Sequence, residues 1–202
     1  VTALALWCLL SSNLDSLLHA VEERYNHAQS LRLTFTESYK ARKHADQVES
    51  GVLALRKPGR MRWEYSAPAG KLFVSDGKDV YLYLPEANRV EHSKFKETDD
   101  LRAPLAFLLG KLNFYKEFRK FDLRAEGGSQ WVGATPNSDN LPYSRVEFLI
   151  TPDARIAKLR VIGQDESVMD FSFEQEKLNV ALDVKLFSFQ VPAGAELVEG
   201  DR

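Results

Sequence analysis

Apolar and polar positions alternate through most of this chain with the period of two that marks a strand with one buried face. The alternation is sharpest in residues 51–85, GVLALRKPGRMRWEYSAPAGKLFVSDGKDVYLYLP. There Met61, Trp63 and Tyr65 point one way and Arg60, Arg62 and Glu64 the other, while Leu53 and Leu55 share a face of the segment before. Lys57-Pro58-Gly59-Arg60 joins the two segments. Pro58 pre-sets φ at about −65° and Gly59 supplies a positive φ, which suits a type II turn. Ser75-Asp76-Gly77-Lys78 marks a second hairpin, predicted as type I′ from Asp-Gly. Tyr81, Tyr83 and Pro85 close an antiparallel meander whose apolar face is aromatic.

The same signal recurs in Leu31, Leu33 and Phe35, more weakly over 89–95, and again over 118–125, 131–135 and 144–151. Ala157, Leu159 and Val161, then Met169, Phe171 and Phe173, and finally Phe187, Phe189 and Val191 complete the set. Residues 40–49 are charged and predict an exposed turn. About eleven strands without long helices between them predict one antiparallel sheet rather than βαβ units. Two segments break the pattern. Leu14, Leu17, Leu18, Val21, Tyr25 and Ala28 recur every three or four residues, which predicts an amphipathic helix from Asn13. Residues 97–112 are apolar nearly all round, with Pro104 suited to a helix start and Gly110 to its end. This second helix reads equally as a plug in the core or as a lid whose inner face exchanges partners. A sheet curled around so aromatic a face encloses more space than its own side chains fill, so a helix or a ligand must occupy it.

Composition narrows the chemistry. A chain of 202 residues fits a single domain. A net charge of −2 argues against nucleic acid, which needs a concentrated basic surface. The single cysteine, Cys8, cannot form an internal disulfide, and bulky Trp7 before it argues against lipid attachment there. His19, His27, His44 and His92 lack metal-ligand spacing, and no nucleophile elbow or phosphate loop is present. Asp99-Asp100 reads as a helix cap. No catalytic residue, metal or cofactor is assigned, and the chain is read as a non-enzymatic monomer. The apolar run 2–10 is too short to span a membrane. It reads as the remnant of a signal peptide, residues 1–12, before a single domain over 13–202, or else as the first turn of a buried helix.

The order of a basic residue and proline, a Trp a few positions on, a downstream proline, then V-S-D-G-K and an aromatic strand ending in proline resembles the outer-membrane lipoprotein carrier family, LolA. The resemblance returns in Asn179-x-x-Leu182-Asp183-x-x-x-Phe187-x-Phe189-x-x-Pro192-x-Gly194. It implies an incomplete antiparallel barrel with a helical lid and an acyl-chain cavity. Carried onto this sequence, Met61, Trp63, Tyr65, Phe171 and Phe173 would line that cavity, and Leu105, Phe107 and Leu108 would face it from the lid. Lys57, with Arg56 and Pro104, would latch and transfer. Family members have Arg where this chain has Lys57, which keeps the charge and loses the planar fork of donors. The implied partners are acylated lipoproteins, an inner-membrane lipoprotein-releasing ABC transporter and an outer-membrane acceptor, and the implied compartment is the periplasm. The same fold also leaves open an acceptor lipoprotein, a periplasmic sensor of lipid or polypeptide, and a lipid-acting enzyme.

Overall fold

Short turns separate the extended runs, so most strands pair with their neighbours in sequence. A computed structural model describes residues 2–42, 46–95 and 112–200, with side chains from residue 13 onward. The chain opens with helix α1 (Thr2–His27), followed by β1 (Ser30–Lys40), β2 (Gln47–Arg56), β3 (Arg60–Ala67), β4 (Leu72–Asp76), β5 (Asp79–Leu84) and β6 (Arg89–Lys94). A short helix α2 (Phe114–Glu117) leads into β7 (Phe118–Glu126), β8 (Ser129–Pro136), β9 (Tyr143–Ile150), β10 (Ile156–Gly163) and β11 (Val168–Leu178). A 3-10 turn (Val184–Phe187) and β12 (Glu196–Glu199) follow.

The described strands form one unclosed sheet in the order β12-β6-β5-β4-β3-β2-β1-β11-β10-β9-β8-β7. Every pairing is antiparallel except β12 with β6. Leu18, Val21 and Tyr25 of α1 join the inward residues of the sheet in one apolar cluster. Across β7 to β11 runs an ion-pair ladder, Asp122–Arg145–Glu147 and Arg160–Asp170. Among the described residues, no helix is long and apolar enough to cross a membrane.

The structure departs from the sequence reading in four places. Glu196–Glu199 forms a parallel edge strand, too short to show a period, that the alternation does not signal. Residues 187–191 do not form a strand: Asp183 caps the 3-10 turn by accepting from Lys185 N, and the apolar alternation belongs to a surface segment. The second hairpin is not type I′. Its positive φ falls on Gly77 (97°), while the Asp76 carboxylate accepts from the backbone N–H groups of Lys78 and Asp79. The first turn has Gly59 at φ 68° as expected, after a cis Lys57–Pro58 bond. Finally, α1 begins at Thr2 rather than Asn13, since no proline or glycine interrupts residues 2–12.

Candidate functional site

The inward face of β3 builds the centre of the site. Met61, Trp63 and Tyr65 are all buried, Trp63 completely, while Glu64 on the other face is exposed. The Phe35 ring of β1 meets Trp63 edge-on at 4.7 Å and Tyr65 at 5.1 Å. It reaches across β2 because Gly51 stands between Phe35 and Tyr65 in the register. An added Cβ there would collide with the Glu64 carbonyl oxygen and crowd Tyr65 Cα. Phe171 lies 5.8 Å from Trp63 and stacks on Phe173 at 5.9 Å. The indole N–H of Trp63 is satisfied inside the wall, donating to Met61 Sδ at 2.9 Å. Thus Met61, Trp63, Tyr65, Phe171 and Phe173, widely separated in sequence, converge on one apolar surface. Pro104, Leu105, Phe107 and Leu108 of the expected lid lie outside the described residues.

Among the described residues, Leu18, Val21 and Tyr25 of α1 share one buried apolar cluster with this wall, and partly buried Leu14 and Leu17 pack against that cluster. The last turn of α1 carries the polar fastenings to the sheet. Lys57 Nζ donates to the carbonyls of Tyr25 at 2.7 Å and Asn26 at 3.3 Å, groups that a helix end leaves without an internal partner. Three rotatable ammonium donors are enough for two carbonyls, so this contact does not need a guanidinium fork. Burial pushes the Lys57 pKa down. Arg56 faces the other side and donates to Leu182 O at 2.6 Å, and Arg62 reaches Leu186 O at 3.3 Å. Lys57 of the basic turn therefore grips the covering helix, while Arg56 and Arg62 hold the C-terminal run.

A second fastening is not visible in the sequence. The Glu176 side chain is only 2% exposed and accepts from Arg24 Nη2 at 2.7 Å and from the Tyr25 hydroxyl at 2.7 Å. Tyr25 Oη in turn accepts from Ile156 N at 3.0 Å. Burial, reinforced by the Glu176 charge, pushes the Tyr25 hydroxyl pKa up. The chain re-entering at Leu112 is tied to the same helix. Asn26 exchanges two bonds with the Leu112 backbone (2.6 and 2.8 Å), and Glu22 accepts from Phe114 N at 2.7 Å. In the sequence, Glu22 and Arg24 read simply as the wet face of a helix. Their partners lie far off along the chain, and no local period signals them.

Residues 26–190 match the family model described as Outer membrane lipoprotein carrier protein LolA. The chain belongs to the LolA family. An outer-membrane lipoprotein carrier protein of Bordetella avium is 32% identical over 154 residues, covering 75% of this chain and 72% of the relative. One from Nitrosospira multiformis is 27% identical over 172 residues, covering 85% and 83%. Among solved structures, an uncharacterized conserved protein from Thermus thermophilus is similar in fold (15% identical, TM-score 0.54, covering 93% of this chain and 99% of that one). So is MucB (15% identical, TM-score 0.53, covering 93% of this chain and 66% of MucB). In this LolA-family chain the matched range takes in the aromatic wall, the basic turn and Glu176, while β12 lies beyond it.

Proposed function

We propose that this protein carries lipoproteins across the periplasm, shielding their acyl chains against the wall formed by Met61, Trp63, Tyr65, Phe171 and Phe173. Cargo arrives from an inner-membrane lipoprotein-releasing ABC transporter and leaves to an outer-membrane acceptor. The observation that carries this reading is the aromatic wall lying beneath a helix whose polar ties to the sheet gather in one turn. A sixteen-carbon chain in water is disfavoured by about 0.8 kcal/mol per CH₂, so it needs a dry host in transit. It must also be given up. When the chain enters, it replaces Leu18, Val21 and Tyr25 against the wall, and α1 lets go of Lys57 and Glu176. The net affinity is the difference between these two apolar packings, which leaves cargo held yet transferable. Pro104, Leu105, Phe107 and Leu108 add a second cover on this reading, and apolar contacts with few fixed polar anchors accept many lipoproteins.

The test uses Trp63 as a reporter. In a Trp7→Phe, Trp131→Phe background, Trp63 is the remaining tryptophan of the chain. A triacylated lipopeptide with brominated acyl chains should quench its fluorescence, and the deacylated peptide should not. Capture of the acylated peptide with no change at Trp63 would move the cargo elsewhere, and no capture at all would leave the wall as a plain core.

A further inference from the structure

The far edge of the sheet holds a histidine that lipid carriage does not use. β12 pairs with β6 from Glu196 opposite Arg89 to Glu199 opposite His92. Gly200 N donates to His92 O at 2.7 Å, and the Asn88 side chain donates to Gly194 O at 2.8 Å. The His92 ring, with its side chain 17% exposed, stands between two carboxylates. Nδ1 lies 2.9 Å from Glu199 Oε2, and Nε2 lies 2.9 Å from Asp79 Oδ1. Lys94 Nζ donates to the same Asp79 oxygen at 2.6 Å, and Tyr81 stacks on the imidazole at 4.8 Å. Among the described residues, the charged and titratable groups facing the ring are therefore Asp79 and Tyr81 of β5, Lys94 of β6 and Glu199 of β12.

An ionised carboxylate only accepts hydrogen bonds, and a neutral imidazole has a single N–H to give. Both contacts are satisfied at once only when both ring nitrogens carry protons. β12 has four residues, so its backbone bonds are few and the charged bridge adds to its hold. We propose that His92 is a proton-operated clasp: the imidazolium ties Glu199 to Asp79 and keeps β12 on the β6 edge, and loss of one ring proton frees the strand. Release uncovers the β6 backbone from Arg89 to His92, an open edge able to pair with another extended chain.

The sign follows from the partners. Hydrogen bonding to Glu199, then to Asp79, raises the His92 pKa above its ordinary value. Docking and protonation therefore favour each other. The clasp's contribution is complete below the value His92 has with β12 undocked and is lost as pH rises through the docked one, which Glu199 raises further. On the acid side it persists until the carboxylates protonate, and Asp79 is held below the usual range by Lys94 first and His92 second.

The experiment follows the His92 ring by NMR titration while hydrogen exchange reports protection at Gly200 and the β12 amides. His92 should titrate above about 6.5, and β12 protection should fall about tenfold for each unit by which docking has raised that pKa. Protection in β1 and β2 should stay constant through the same range. Glu199→Gln should lower the His92 pKa and loosen β12 at acidic pH. A ring titrating at the ordinary value, or β12 protection that does not follow the ring, overturns the clasp. Neither result bears on lipid carriage, which is read at Trp63.

Discussion

Gly51 and Gly133 each stand where an added Cβ would collide, but with different neighbours. At Gly51 it would come within 2.1 Å of the Glu64 carbonyl oxygen, a backbone atom fixed by the β2–β3 pairing. At Gly133 it would lie 2.0 Å from Arg145 Nη2, the free end of a long side chain that passes over β8 to reach Asp122. Gly51→Ala should therefore cost about 2–3 kcal/mol, because two strands must part. Gly133→Ala should cost under about 1 kcal/mol, because Arg145 can swing away from a pair whose members are 31% and 57% exposed. Urea midpoints of the two variants decide this, and equal losses would refute the distinction between a rigid and a yielding neighbour. The inward triplet Met61, Trp63 and Tyr65 is legible at this scale because alternation names a face directly. Phe35 is legible as a strand residue but not as part of the wall. Its ring reaches β3 across Gly51, and that depends on register across three strands.

At the scale of elements, α1 is the piece whose role differs most between sequence and structure. Its apolar stripe is plain from Leu14 to Ala28, but the stripe does not say what it covers or what holds it. The family resemblance makes Lys57 a latch on the segment carrying Pro104. Its described partners are the Tyr25 and Asn26 carbonyls at the end of α1, and Pro104 lies outside the described residues. If that contact favours the covered, unloaded state, weakening it shifts the balance toward the loaded one. Lys57→Leu should then capture triacylated lipopeptide more tightly and pass it to liposomes more slowly than wild type. Unchanged transfer with unchanged binding would reduce Lys57 to a helix cap. The C-terminal run misleads a sequence reading for a related reason. Phe187, Phe189 and Val191 alternate like a strand, yet Phe187 alone of the three is buried, and Arg56 and Arg62 anchor the neighbouring Leu182 and Leu186 carbonyls.

At the scale of the whole molecule, the antiparallel, hairpin-linked sheet is legible because turn signals recur between short alternating runs. The order of strands at its two long-range joins is not, since pairing between distant segments leaves no local mark. β12 docks on β6 at one join. At the other, β1 lies against β11, with Leu31 opposite Leu178 and Lys40 opposite Val168. Every remaining neighbour in the sheet is also a neighbour in the chain, so the described strands form two meanders sewn together along one seam.

That seam has a kinetic consequence. Each meander can form by closing short loops, whereas β1 and β11 join residues as far apart as Leu31 and Leu178, so the seam is the slow contact to find. We predict that it closes after the barrier to folding. Phe173→Leu, on the β11 side, should accelerate unfolding and leave the refolding rate nearly unchanged, whereas Val161→Ala in the β9–β10 hairpin should slow refolding. Stopped-flow chevrons of the two variants give the answer, and a refolding defect in Phe173→Leu would place the seam in the nucleus instead.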